Sequence, residues 1–176
     1  MLRKFVAKRI VVDAVLAALS LAIFVAESML PPLFLPGAKL GLANIFSLFA
    51  LLNFGFFDAL AILLVRILLG SLFSGAFSTI LYSIPAGLIS LIISYALIIF
   101  IYPRVSIVSI SVASAVIHNI VQVLVFVSLN RAAQMLGYMP LLALIGAGSG
   151  LLIGIIVFLL DAHLPKNIIA IKERTS

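Results

Sequence analysis

Cysteine is absent from the chain, so no disulfide framework, thiolate metal site or thiol nucleophile can form in it. Charge is scarce as well. Only 9% of the 176 residues are Asp, Glu, Lys or Arg, too few to keep a soluble domain of this size in water. The aspartates number three, at Asp13, Asp58 and Asp161, too scattered to hold magnesium and diphosphate as a clustered acidic motif does. No Gly-rich phosphate loop ending in Lys-Ser/Thr occurs, so the chain is not expected to hydrolyse ATP, and no nucleophile with a neighbouring base stands out. Neither an enzyme nor a bound cofactor is expected. Long polar runs are missing too. The longest is the tail from Asp161 to Ser176, which leaves no room for a separate soluble domain and makes residues 1–176 a single membrane domain.

What fills the chain instead is apolar: 65% of residues are hydrophobic and the mean hydropathy is +1.42. Hydrophobic stretches recur from Ile10 to Leu160 with short polar or Pro/Gly-containing breaks. At about 20 helical residues per crossing, this predicts an all-α integral membrane bundle of about six transmembrane helices. The expected spans are Ile10 to Met29, Leu40 to Phe54, Asp58 to Leu72 with Asp58 as N-terminal cap, Phe77 to Ile101, Val105 to Leu129 and Pro140 to Leu160. The start of the chain has the basic-then-apolar order of a secretory signal. Asp13 and the length of the run to Leu30 argue instead for a first span with a basic N-terminus at residues 1–9.

Lysine and arginine placement orients the bundle. With the N-terminus in the cytoplasm, Arg3, Lys4, Lys8, Arg9, Arg104, Lys166, Lys172 and Arg174 lie inside, against Lys39 and Arg131 outside. Both termini, including the tail 161–176, are therefore expected on the cytoplasmic side of a bacterial-type cytoplasmic membrane. The +6 formal charge is read as this topology signal, not as a nucleic-acid footprint.

Two spans carry small residues at four-residue spacing: Ala14, Ala18, Ala22 and Ala26 on the first, Gly146, Gly150 and Gly154 on the last. Such stripes let another helix backbone approach closely, within the same chain or on a partner. For the glycines the packing reading is favoured. For the alanines both readings stay open.

Few polar residues fall inside the spans, which makes them informative. Arg66 lies well inside the third; it cannot readily lose its proton, so it must snorkel, meet a carboxylate such as Glu27, or face a wet cavity where an anion binds. Glu27, Lys39 and Asn44 bracket a proline-rich connector that is either a lid over a ligand or an ordinary link. His118, Asn119 and Gln122 sit three and four residues apart, on one side of the fifth helix, where they either bond neighbouring helices or line a polar cavity beside Arg66. Ser78 and Tyr82 are weaker candidates of the same kind. A metal site is not expected, since His163 lies at the opposite end of the bundle and no carboxylate is within helical reach of His118.

The run Pro36-Gly-Ala-Lys-Leu-Gly-Leu-Ala-Asn44, with Glu27-Ser28 before it and Phe57-Asp58-Ala59-Leu60, Arg66 and His118-Asn119-x-x-Gln122 after it, resembles the family labelled Gx transporter or heptaprenyl diphosphate synthase component I. The resemblance covers roughly Val11 to Leu160. That family is in turn similar to the substrate-binding S components of energy-coupling factor (ECF) transporters. The resemblance implies a six-helix membrane subunit that captures a scarce substrate from outside and docks on a coupling subunit and two ATPases; the ligand expected here is small and anionic or isoprenoid-related. In S components an alanine-rich face of the first helix meets the coupling subunit, a pattern that Ala14, Ala18, Ala22 and Ala26 match. The synthase label implies the alternative, a non-catalytic membrane partner of a polyprenyl diphosphate synthase in menaquinone tail synthesis. In either setting Lys39 and Arg66 would receive an anionic group, with Glu27, Asn44, Ser78, Tyr82, His118, Asn119 and Gln122 around it.

Overall fold

Apolar runs in a bilayer become helices because hydrocarbon offers no partner to a backbone N–H or C=O. The computed structural model describes residues 2–29, 41–75 and 77–163, and among these the elements are all helical. The order is α1 (Leu2–Met29), α2 (Asn44–Asn53), α3 (Phe56–Phe73), α4 (Ile80–Phe100), α5 (Ile107–Asn130) and α6 (Met139–His163). Short 3-10 segments, Phe77–Thr79 and Ala133–Tyr138, lead into α4 and α6. The connector with Lys39 and the tail from residue 164 lie outside the described residues.

Five of these helices are long and apolar enough to cross a membrane. The second is not. At ten residues α2 rises only about 15 Å, half of a hydrocarbon core, so it corrects the expected span from Leu40 to Phe54. Its start is fixed level with the middle of α1: Ser20, midway along the apolar part of α1, donates to the Ala43 carbonyl at 2.9 Å. The helix then descends to a sharp turn at Gly55, whose φ of 108° is one that residues with a Cβ rarely adopt.

Two further expectations are corrected at that turn. Asp58 does not cap α3; the cap position is Gly55, with no side-chain bond. The Asp58 carboxylate instead pairs with Arg9, whose Nε lies 3.3 Å from Asp58 Oδ1 and whose Nη2 donates to the Phe54 carbonyl at 3.0 Å. Lys8 and Arg9 accordingly belong to α1 itself, which begins at Leu2 and not at Ile10. The charge that satisfies Asp58 ties α1 to the α2–α3 turn, which a local cap would not do.

α2 stands in the middle and touches α1, α3, α4 and α6. Ile45, Leu48, Phe49 and Leu51 of α2 form the core with Ile62, Leu63 and Ile67 of α3 and Ile153 and Val157 of α6. On the other flank α5 lies between α4 and α6. Glycine sets the α5–α6 spacing. A Cβ built on Gly150 would stand 2.7 Å from Val112 Cα, and one on Gly154 2.6 Å from Val108 Cα. The glycine stripe is therefore spent on packing inside the chain. The alanine stripe is not: Ala14, Ala18, Ala22 and Ala26 are all exposed on the outer face of α1.

Candidate ligand-binding cavity

Because α2 starts halfway down, the space above its first turn is left for side chains and for a cavity of about 190 Å³. All six helices contribute to its wall. Asn44, the first residue of α2, faces Arg66 of α3, and Arg66 Nη1 donates to Asn44 Oδ1 at 2.7 Å. Arg66 is 4% exposed, its Nε makes no hydrogen bond to the protein, and it forms no ion pair among the described residues. A cation in that position is costly in a bilayer unless something else completes its shell.

Glu27 of α1 lines the same cavity, and its Oε1 accepts from the Leu42 backbone N–H at 3.0 Å. It thus holds the chain as it enters α2, while Arg66 is held by Asn44. Opposite signs share one wall without bonding each other.

α5 brings His118, Asn119 and Gln122 to the cavity together. Asn119 Nδ2 donates to the Leu142 carbonyl of α6 at 2.8 Å. Gly146 makes that reach possible, since a Cβ there would lie 2.8 Å from Asn119 Nδ2. His118 Nδ1 lies 3.4 Å from Ser90 Oγ on α4. Tyr82 lines the cavity too, and its ring meets Phe126 edge-on at 5.6 Å between centroids. Pro85, inside α4, has no N–H for the Leu81 carbonyl.

A match to the family model described as Heptaprenyl diphosphate synthase component I runs over residues 16–160, most of the chain. The chain belongs to the heptaprenyl diphosphate synthase component I family. Neither a curated protein nor a solved structure matches it. The matched stretch takes in every residue that lines the cavity of this family member, from Phe24 to Ile153. Among the described residues of this family member, no group of three or more His, Asp or Glu side chains could hold a metal ion.

Of the residues singled out in the sequence, the structure brings Glu27, Asn44, Arg66, Tyr82, His118, Asn119 and Gln122 to this one cavity. Ser78 is a correction. It is exposed on the 3-10 turn, and its neighbours Thr79 and Ser83 line the wall in its place. The helical periodicity that paired Ser78 with Tyr82 fails because α4 begins only at Ile80. Lys39 lies outside the described residues. Ser149 was missed, since it falls between Gly146 and Gly150 and reads there as one more small packing residue.

Proposed function

We propose that this protein is a non-catalytic membrane component that binds a small isoprenoid-related anion beside a soluble polyprenyl diphosphate synthase. The buried Arg66, which lines the cavity and has one hydrogen bond, from Nη1 to Asn44, carries the reading. Its guanidinium fork would take an oxyanion while Nη1 stays on Asn44. His118, Asn119, Gln122 and Tyr82 would supply hydrogen bonds, Glu27 would hold the backbone at Leu42, and Lys39 would be the second cation. Phe24, Phe126 and Met135 offer apolar surface for the rest of the ligand. The family's description supports the synthase setting. The scattered aspartates support a binding role over a catalytic one. Both termini would face the cytoplasm, where such an enzyme works.

One observation favours a second setting, that of an ECF S component. The exposed alanine face of α1 is the surface that a coupling subunit would need. Purification in mild detergent, with identification of the proteins and small molecules retained, separates the two. A soluble aspartate-rich synthase supports the first setting and a pair of ATPases with a coupling subunit the second. Calorimetry with isopentenyl diphosphate tests the ligand reading itself, and absence of binding to the folded protein would sink it.

A further inference from the structure

Next to the ligand cavity lies a smaller void of about 40 Å³. The two share Asn44, Ala115, His118 and Ile153. Five serines from three helices face this void: Ser47 on α2, Ser90 and Ser94 on α4, Ser111 and Ser114 on α5. Small size alone could account for serine at helix contacts, because it lets backbones approach. Size does not account for space left open between them.

The hydroxyl hydrogens are directed mostly along the walls. Ser90 Oγ donates to the Gly87 carbonyl at 3.0 Å, Ser94 Oγ to the Ser90 carbonyl at 2.9 Å, and Ser114 Oγ reaches the same Ser90 carbonyl at 3.4 Å. Each such hydroxyl keeps lone pairs to accept with. Ser47 differs: it is 5% exposed, and its Oγ has no partner in the protein. A buried hydroxyl left without any partner is destabilising, because it has given up its bonds to water for none in the protein. A water molecule needs roughly 10–15 Å³ and two to four polar partners, both of which the void offers.

We propose that this serine-lined void is a hydration site inside the membrane bundle, holding about three water molecules that bond Ser47 and extend to His118. The waters form the polar floor of the ligand cavity. This inference stands on the void alone and not on the identity of any ligand. A cation is a poorer guest, because no carboxylate lines the void and Arg66 stands beside the shared Asn44.

Synchrotron hydroxyl-radical footprinting of the full chain in lipid nanodiscs, read by mass spectrometry, tests it. Leu48, Leu51 and Leu91 line the void and are buried, as are Ile62 and Val157, which do not line it. The expected result is oxidation of the three leucines several-fold faster than of Ile62 and Val157. Ser47→Leu, which fills the space, should bring them down to the control rate, while Ser47→Ala should leave the labelling in place. Equal labelling of void and control residues in the unaltered protein overturns the proposal, whether or not Ser47→Leu folds. So does labelling that persists in a folded Ser47→Leu variant.

Discussion

Arg66 and Asn44 meet through a single hydrogen bond of 2.7 Å between the middle of α3 and the first residue of α2. That bond uses one donor of a group that has five, on a residue that lines the cavity. Replacing Arg66 by Ala should therefore weaken isopentenyl diphosphate binding by about 10- to 100-fold, the loss expected for a charge-assisted bond of ~1.5–3 kcal/mol. Arg66→Lys should fall between, since an ammonium cannot serve Asn44 and an oxyanion with the same planar fork. Calorimetry on protein whose melting in detergent is unchanged checks both. Unaltered affinity in Arg66→Ala would remove the anion-receptor role.

The glycines of α6 lend themselves to a graded test. Gly150→Ala and Gly154→Ala each push a Cβ into backbone of α5 and should lower stability by about 1–3 kcal/mol. Gly148→Ala meets nothing within 4 Å and should be neutral or slightly stabilising, as alanine is the better helix former. Thermal unfolding of the three variants in one detergent ranks them. Equal melting would mean that α5 and α6 are not held at the distance described.

The Arg9–Asp58 pair is partly exposed, so its worth is set by the tie and not by charge alone. A double-mutant cycle with Arg9→Met and Asp58→Asn should return a coupling of about 1 kcal/mol. A coupling indistinguishable from zero would show that Arg9 does no more than mark the membrane boundary.

Ala18→Leu places bulk on the outer face of α1, away from the cavity. Melting and ligand affinity should stay as they are, while recovery of a co-purifying partner should drop. Full recovery would show that the alanine face touches only lipid.

Much of this architecture was legible before any coordinates, for identifiable reasons. Hydrophobic length alone marks α1, α3, α4, α5 and α6, because a bilayer imposes one crossing distance on every span. The gathering of Arg66 with His118, Asn119 and Gln122 was also legible, since polar groups in hydrocarbon have few places to go. α2 was not, because a run of apolar residues does not record where in the bilayer it begins. The bonds between side chain and backbone that fix its start, from Ser20 Oγ to the Ala43 carbonyl and from the Leu42 N–H to Glu27, join residues far apart in sequence. Asp58 was misread for the same reason. A carboxylate in a first helical turn looks like a local cap until a partner 49 residues earlier is seen to claim it.

That distant claim bears on how the protein is made. Arg9, Phe54 and Asp58 all lie at or before α3 in the chain, so the clasp that joins the first three helices needs no residue of α4 to α6. The chamber itself must wait for the second half, because Asn119 finds its carbonyl only when Leu142 has been added. A fragment ending after α3 would keep every residue of the clasp and lack the far wall of the chamber.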